Sequence, residues 1–322
     1  MQRWQRLSDI PATWPGSTAT IGVFDGVHRG HRVVVAATIA HAHRLGVPAV
    51  VVTFDPHPMQ VLRPAVAPVL LSTLDQRVSL LGSLGADAVL VLPFSAELAA
   101  LTPDEFARQV LAERLHARPV VVGENFRFGN RAAGDTQTLA ELGAELGFEV
   151  EGLPLEAGSG ATWSSTYVRG LVAAGDAAAA AASLGRPHRV EGIVVSGNKR
   201  GRELGFPTAN LAAPDHTAVP ADGVYAGWVV RHPYTSGQER YPAAISIGTN
   251  PQFEGLERRI EAYVLDRDDL DLYGEHLAFD VAARLRETRR FETVEALVVA
   301  MREDVTRARD LLTASSPAAI GV

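Results

Sequence analysis

The sequence contains no cysteine, which excludes disulfide bonds and thiolate metal sites. It has no run of about 18 apolar residues that would span a membrane, and no apolar signal-peptide segment near its start. Among its 30 basic residues, Lys199 is the single lysine. A Walker A string is also absent, which excludes an ordinary P-loop kinase. From the lack of cysteine, of a membrane span and of a signal-peptide segment, we expect a cytoplasmic protein with no membrane partner.

Charge and length narrow the class of protein further. The formal net charge of -7 argues against a general affinity for nucleic acid, so we expect no nucleic-acid partner. The 322 residues exceed the usual size of one hydrophobic core, and two domains are expected. The apolar fraction of 47% is sufficient for both cores.

The first half of the chain alternates strand-like and helix-like segments. Nearly continuous apolar runs such as AVVVTF (49–54) and ADAVLVLPF (86–94) are typical of parallel strands that are covered on both faces. Helical patterns follow such runs, for example at 74–84 and 134–146. Each strand ends in a polar loop rich in Gly or Pro. This pattern predicts a Rossmann-like, doubly wound α/β domain, which we place at residues 1–185.

The pattern changes after a helix-forming stretch that runs from Ser164 through the alanines at 177–182. Gly185 and Pro187 end this stretch, so we place the domain boundary there. Short strands without intervening helices follow and predict a small antiparallel β-barrel at 186–322. Apolar residues at helical spacing from 291 to 312 predict a C-terminal helix that closes this domain.

Residues 20–32, TIGVFDGVHRGHR, form a strand-like segment that runs into a tight turn and then a helix. His28, Gly30 and His31 would lie near the helix N-terminus, where free N–H groups attract a phosphate. Glycine at position 30 removes a side chain that would keep the phosphate away. Two alternatives stay open. The histidines are structural, or they bind a metal with a third ligand from Asp25, Asp55 or His57.

A second polar segment, WSSTYVR, occupies residues 163–169. Ser164, Thr166 and Arg169 supply hydroxyl and guanidinium donors for a phosphate chain at the start of a helix. Helix capping alone would also explain the hydroxyl groups.

Together, GVFDGVHRGH and SSTYVR resemble the HxGH nucleotidylyltransferase superfamily. The segment GENFRFGNRAAGD (123–135) narrows the resemblance to the adenylyltransferase module of the prokaryotic bifunctional riboflavin kinase/FAD synthetase family. The segment GNKRGRELGFPTAN (197–210) resembles the flavokinase signature of the same family. The resemblance covers nearly the whole chain, from about residue 20 to residue 312.

For the first domain, the resemblance implies that FMN and ATP are joined into FAD with release of pyrophosphate. Asn125 and Phe128 would position FMN, and His28 and His31 would be catalytic. The residues that would bind ATP are Gly22, Phe24, Asp25, His28, Gly30, His31, Ser164, Thr166 and Arg169.

For the second domain, the resemblance implies phosphorylation of riboflavin to FMN by ATP and Mg²⁺. Thr208 and Asn210 point the same way on an extended chain, and their neutral oxygens would complete a Mg²⁺ shell. A tight turn capped by Thr and Asn is the alternative. The residues that would bind ATP are Gly197, Lys199, Arg202, Gly205, Thr208 and Asn210.

Glu261 matches the position of the general base in the family. Alternation along its strand places it on one face with Tyr263 and Leu265. If that face is interior, the carboxylate is partly desolvated and able to accept a hydroxyl proton. An exposed strand glutamate without a catalytic role is the alternative.

Two positions depart from the family pattern, and two other functions stay open. Tyr167 stands where the adenylyltransferase segment is often basic, and Tyr263 stands where the kinase strand often has histidine. One alternative function is an adenylyltransferase for another substrate with an accessory barrel, against which GFPTAN argues. The other is a non-catalytic flavin sensor or RNA-binding regulator. RNA binding favours a basic face, but the second domain has more acidic than basic residues.

Overall fold

The structure is a computed structural model that describes residues 1–154, 157–158, 161–197, 201, 204–248 and 258–314. Contacts divide the chain into two compact units. Unit 1 comprises Met1–Pro68 and Leu74–Ser164, and unit 2 comprises Val69–Thr73 and the described residues from Ser165 onward. The predicted phosphate ligands Lys199 and Arg202 lie outside the described residues.

Unit 1 is built on a parallel sheet of six strands, in the order β1-β4-β3-β2-β5-β6. Val50 and Val52 of β3 are fully buried in one apolar core, and Val51 between them is buried in a second core on the opposite face. Because both faces are covered, the central strands β3 and β4 are nearly continuous apolar runs. The predicted doubly wound α/β fold is confirmed. The strands are β1 Gln2–Trp4, β2 Ser17–Ile21, β3 Ala49–Asp55, β4 Ala88–Pro93, β5 Ala117–Gly123 and β6 Glu149–Leu153.

Helices connect the strands of unit 1. The helix α5 begins at a capping box, since Thr102 Oγ1 accepts from the N–H of Glu105 and the Glu105 carboxylate accepts from the N–H of Thr102. It continues as π-helical turns over Ala107–Ala112. The helices are α1 Arg29–Leu45, α2 Pro58–Leu62, α3 Leu74–Ser83, α4 Ala96–Ala100, α5 Pro103–Phe106 and α6 Thr136–Leu146. A two-stranded ribbon, β7 Ala157–Gly158 and β8 Ala161–Thr162, follows them.

The strand order places two predicted binding loops side by side. The strand β2 lies between β3 and β5, and the chain leaves β2 toward one edge of the sheet and later returns to β5 on its other side. Ligands of such sheets bind where the order reverses, outside the carboxyl ends of the strands. The turn after β2 and the loop after β5, residues 123–129, flank this position.

Two helices occupy the stretch that the sequence predicts as one. They are α7 Ser165–Ala174 and α8 Ala177–Leu184. Gly175 breaks the stretch with a left-handed φ of 76°, and Asp176 then caps α8 by accepting from the N–H of Ala179 at 3.0 Å.

Both helices belong to unit 2, although they precede the predicted boundary at 185. They share an apolar cluster with a short segment from much earlier in the chain, Val69–Thr73. Leu70 of this segment exchanges backbone hydrogen bonds with His216 and Ala218. The boundary at 185 follows the sequence pattern and stays a prediction about functional domains. The cluster consists of Leu71, Val168, Val172, Ala180, Leu184 and Ala218.

The rest of unit 2 is the predicted antiparallel barrel, closed in the order β10-β13-β12-β11-β14-β9. Side chains alternate between the barrel interior and its outer face. Ile260, Ala262 and Val264 of β13 are interior. The strands are β9 His188–Val195, β10 Thr208–Ala212, β11 Gly223–Arg231, β12 Glu239–Gly248, β13 Arg259–Val264 and β14 His276–Arg286.

The helix α9, Val294–Ala314, confirms the predicted C-terminal helix. Ala308 and Leu312 cover the outer face of the barrel, where they join a cluster with Trp228 and Leu265. An ion pair between the partly buried Arg286 and the buried Asp304, at 2.7 Å, adds a polar link between β14 and α9.

No helix among the described residues has both the length and the apolar character needed to cross a membrane.

Candidate active sites

The turn after β2 is a strained stretch of backbone. Phe24 and Val27 both have left-handed φ angles, 51° and 42°, and the N–H of Val27 donates to the carbonyl of Phe24 at 3.0 Å. A β-branched residue rarely adopts this conformation. Both side chains are buried in the core, so packing holds the backbone in place. Gly22 leaves room for the Phe24 ring, which lies 3.1 Å from the position of an added Cβ.

His28 and His31 lie together at the N-terminus of α1, as predicted from their spacing. His28 is the N-cap residue, and its Nδ1 accepts from the N–H of His31 at 3.4 Å. The two rings stack with centroids 3.6 Å apart, and the edge of the Phe24 ring contacts His31. At Gly30 an added Cβ would lie 3.2 Å from the His28 ring and 3.4 Å from the Trp163 carbonyl oxygen. The arrangement forms a narrow donor-lined position at a helix N-terminus, which suits a phosphate.

The metal alternative for these histidines gains no support. The ring of His57 accepts from the N–H of Met59 at 3.1 Å and caps α2. In the described part of the chain, no group of three or more His, Asp or Glu side chains is placed to hold a metal ion. Asp25 is 1% exposed within the turn.

The loop after β5 presents one of its two predicted flavin contacts. Asn125 is exposed, and its Oδ1 lies beside Gly123. The ring of Phe128 is 8% exposed and stacks on Phe126. Burial gives Phe128 a packing role, and its contact with FMN stays a prediction.

The predicted second wall of the nucleotide site divides between the units. Ser164 ends unit 1, whereas Thr166 and Arg169 lie on the first turns of α7 in unit 2. Thr166 is exposed. Arg169 Nε donates to the carbonyl of Val69, within unit 2, at 2.7 Å. The ATP contacts predicted for these residues stay predictions.

Sequence reasoning missed two residues beneath the turn, Thr53 and Arg77. Thr53 Oγ1 donates to the carbonyl of Val23 at 2.9 Å, and Arg77 Nη1 donates to Thr53 Oγ1 at 3.3 Å. The helical pattern of α3 could have indicated Arg77. It stands one turn before the buried Leu81, where the helical pattern expects an apolar residue.

The second site is formed by neighbouring strands of the barrel. Asn210 of β10 is directly opposite Glu261 of β13, and Thr208 is opposite Tyr263. Thr208 Oγ1 donates to Glu261 Oε2 at 3.3 Å. Three residues predicted to bind Mg²⁺ or act as base therefore share one face.

That face is the outer face of the barrel and not its interior. The interior of β13 is filled by its alternate residues, including Ala262. Glu261 is nevertheless largely withdrawn from water. Burial raises the pKa of the Glu261 carboxyl above its ordinary value, and the hydrogen bond from Thr208 and the charge of Arg259 partly offset this effect.

The loop that precedes β10 comes close to Asn210. A Cβ added to Gly197 would lie 2.7 Å from Cγ and Oδ1 of Asn210. The carbonyl of Gly201 accepts from the N–H groups of Leu204 and Phe206, and Gly205 has a left-handed φ of 85°. Among the described residues before β10, Gly197 and Gly201 therefore come close to the Thr208–Asn210 face.

The oxygens on this face fit a divalent cation. Asn210 Oδ1 is buried and has no hydrogen-bond partner among the described residues. A buried carbonyl oxygen without a donor is a ready ligand for a hard cation, and the Thr208 hydroxyl oxygen lies on the same face.

Tyr263, which departs from the family pattern, also lies on this outer face. Its ring makes an edge contact with Phe206, with centroids 5.2 Å apart. A tyrosine therefore supports the loop through Phe206.

Comparisons with known proteins match both units. The FAD synthetase family model matches residues 10–167, and the riboflavin kinase family model matches residues 184–312. The bifunctional riboflavin kinase/FMN adenylyltransferase of Escherichia coli (strain K12) is 34% identical over 312 residues, which cover 97% of each chain. The chain belongs to the bifunctional riboflavin kinase/FMN adenylyltransferase family.

Other members and a solved structure are similar over the same length. The family member of Pseudomonas fluorescens is 38% identical over 317 residues, which cover 98% of this chain and 99% of that protein. A crystal structure described as a macrolide-efflux protein from Streptococcus pneumoniae has a TM-score of 0.81 and 30% identity, and covers 95% of this chain and 98% of that one.

The two candidate sites fall within different family models. The turn with His28 and His31 lies in the region matched by FAD synthetase, and the Thr208–Asn210–Glu261 face lies in the region matched by riboflavin kinase. The resemblance drawn from the motifs is confirmed at the level of the family.

Proposed function

We propose that the two activities of the family are carried by the two sites described above. The chain transfers a phosphoryl group from ATP to riboflavin, which gives FMN, and then an adenylyl group from ATP to FMN, which gives FAD and pyrophosphate. The observation that carries this assignment is that each family model covers one of the two polar clusters, the turn with His28 and His31 or the Thr208–Asn210–Glu261 face.

In the kinase reaction, Glu261 is the general base. The 5′-hydroxyl oxygen of riboflavin forms a bond to the γ-phosphorus of ATP, and the bond from that phosphorus to the β-phosphate oxygen breaks. The hydroxyl proton goes to the Glu261 carboxylate, and ADP leaves. Because burial raises the pKa of Glu261, its carboxylate is a stronger base than an exposed glutamate.

The oxygens of Thr208 and Asn210 hold Mg²⁺ in this site. When bound, the ion offsets negative charge on the phosphates of ATP. As the motif implies, the glycines 197, 201 and 205 would let the backbone approach the same phosphates, and Lys199 and Arg202 would add positive charge. The roles of these two side chains are carried over from the motif alone.

In the adenylyl transfer, the phosphate of FMN attacks the α-phosphorus of a second ATP. The bond between that phosphorus and the oxygen of the leaving pyrophosphate breaks. His28, His31 and the N–H groups at the start of α1 stabilise the negative charge that develops, and Gly30 lets the phosphates approach. Ser164 donates from the end of unit 1, and Asn125 orients FMN from the loop after β5. Gly22, Phe24 and Asp25 belong to the stretch that leads into α1 and would contact ATP there, as the motif implies.

A product assay tests the assignment. The protein is incubated with riboflavin and ATP, with and without Mg²⁺, and riboflavin, FMN and FAD are separated by chromatography. We expect Mg²⁺-dependent FMN followed by FAD. Conversion of added FMN without phosphorylation of riboflavin would leave the barrel as an accessory module. Flavin binding without turnover would support the sensor alternative. A cytoplasmic location and the absence of a nucleic-acid partner stay predictions.

A further inference from the structure

Arg77 is an arginine in the core of unit 1. Its side chain has 0% exposure, and Nη1 donates to the carbonyl of Phe54 at 2.9 Å and to Thr53 Oγ1 at 3.3 Å. In the described part of the chain, Nε and Nη2 have no hydrogen-bond partner. Burying a guanidinium with unmet donors is costly, because charge and N–H groups both lose water. Packing alone is therefore a poor explanation for an arginine at this position.

The Thr53 hydroxyl connects this guanidinium to the turn after β2. It donates to the carbonyl of Val23 at 2.9 Å. A hydroxyl has one proton and two lone pairs, so Thr53 donates to Val23 and accepts from Arg77 at the same time. Arg77 thus reaches the carboxyl ends of β3, through Phe54, and of β2, through Thr53.

The hydrogen bonds from Arg77 to Thr53 and from Thr53 to Val23 form a bridge, and the backbone at its end is strained. Val23 directly precedes Phe24, and the turn contains two non-glycine residues with left-handed φ angles, Phe24 and Val27. Such conformations persist where the surrounding structure holds them. His28 and His31 follow within the same turn and the first residues of α1. A shift of the carbonyl of Val23 would therefore move both imidazoles.

The positive charge of Arg77 gives this residue a second function, which is to offset two carboxylates near the turn. Asp25 is 1% exposed in the turn, and Asp55 ends β3. Burial lowers the pKa of Arg77, and the negative charges of Asp25 and Asp55 oppose that effect. The guanidinium therefore offsets carboxylates that lie at the edge of the sheet where ATP is to bind, and whose charge would otherwise repel its phosphates.

We propose that Arg77 is a positioning residue for adenylyl transfer. Through Thr53 it holds the backbone at Val23, and so fixes His28 and His31 relative to the phosphates of ATP. The inference rests on the function proposed for this turn.

Four full-length variants test the bridge: Arg77→Met, Arg77→Lys, Thr53→Val and Thr53→Ser. Thr53→Val keeps the size of the side chain but removes the hydroxyl. We expect Thr53→Val and Arg77→Met to lower kcat for FAD formation from FMN and ATP by about tenfold or more, with KM for ATP changed less. Thr53→Ser restores the hydroxyl and should restore kcat, and Arg77→Lys, which retains the charge, should fall between. The double variant should be no slower than the slower single variant.

Phosphorylation of riboflavin by the same preparations should stay unchanged, because that site lies in unit 2, and urea denaturation followed by the unit 1 tryptophans Trp4 and Trp14 checks that unit 1 is folded. The matched control is Thr38→Val, which removes a buried hydroxyl that donates to the carbonyl of Val34 on α1, away from the turn. Unchanged kcat in both Thr53→Val and Arg77→Met would overturn the proposal. So would equal loss of both activities, failure of Thr53→Ser to restore kcat, or multiplicative losses in the double variant. Absence of FAD formation by the unmodified protein would instead refute the function proposed for the turn.

Discussion

Gly197→Ala should impair the kinase site by displacing Asn210. The added Cβ would lie 2.7 Å from both Cγ and Oδ1 of Asn210, whereas unstrained contacts between carbons are about 3.5–4.0 Å. The amide of Asn210 must therefore move by roughly 1 Å. Since Cγ itself is in the way, a small rotation of the amide group is not sufficient, and the oxygen leaves the face that it shares with Thr208 and Glu261.

A displacement of this size predicts a large kinetic effect. Misplacing a reacting or ligating group by about 1 Å can reduce the rate about 10²-fold, which corresponds to about 2.7 kcal/mol. We expect kcat for riboflavin phosphorylation to fall by this order and the Mg²⁺ concentration at half-maximal rate to rise. The assay measures FMN formed from riboflavin over a range of Mg²⁺ concentrations.

Two controls and a stability measurement separate displacement from unfolding. The variant should still convert supplied FMN to FAD, because that site is in the other family region, and its urea denaturation curve should match that of the unmodified protein. Gly237→Ala makes the same chemical change in an open loop, where the nearest atom to the new Cβ is Thr235 Oγ1 at 3.8 Å, and should leave the kinase unchanged. Kinase kcat and Mg²⁺ dependence within about twofold of the unmodified protein would refute the role of Asn210.

Four further predictions address the two sites and the stability of the barrel unit. His31→Ala should reduce FAD formation from FMN by about 10²–10³-fold while riboflavin phosphorylation continues; a matched loss of both activities in a folded variant would contradict two separate sites. Glu261→Gln should reduce riboflavin phosphorylation by about 10²–10⁴-fold and leave FMN adenylylation intact. In the unmodified protein, the kinase rate should fall as the pH drops through the raised pKa of Glu261, since the protonated carboxyl cannot accept a proton, and this acid limb should begin at a higher pH than for an ordinary glutamate. Asp304→Ala leaves the partly buried guanidinium of Arg286 without its carboxylate and should lower the free energy of unfolding, measured by urea denaturation, by about 2 kcal/mol, whereas Glu303→Ala, at an exposed neighbouring position, should change it little.

The sequence was sufficient for the sheet, the barrel and the motif-bearing loops. Continuous apolar runs such as Val50–Val52 require cover on both faces, and this requirement leads directly to a parallel sheet with helices on either side. The sequence also predicts the end of α8 at Gly185, and this glycine has the left-handed φ that commonly ends a helix. The sequence does not predict the break between α7 and α8 at Gly175, because its neighbours are strong helix formers and a lone glycine within such a stretch is often tolerated.

The sequence could not show which side of the barrel wall a residue lies on, or which residues distant in the chain are in contact. Alternation shows that Glu261 and Tyr263 share a face, but it does not show which face of the barrel wall is interior, since side chains on the outer face are partly covered as well. A buried arginine is also hard to predict from pattern alone. The charge of Arg77 argues for the surface, and only the three-dimensional proximity of Thr53 and Phe54 gives it acceptors.

The participation of Val69–Thr73 in unit 2 has a consequence for how the chain folds. Leu70 is hydrogen bonded to His216 and Ala218, so during synthesis this segment has no partner until the chain has been made past β10, about 145 residues later. Contacts of such long sequence separation raise the contact order and slow folding. A gene divided at residue 185 would also yield no fragment that contains all of unit 2, because one piece would carry Leu71 and the other Ala218, its partner in the apolar cluster.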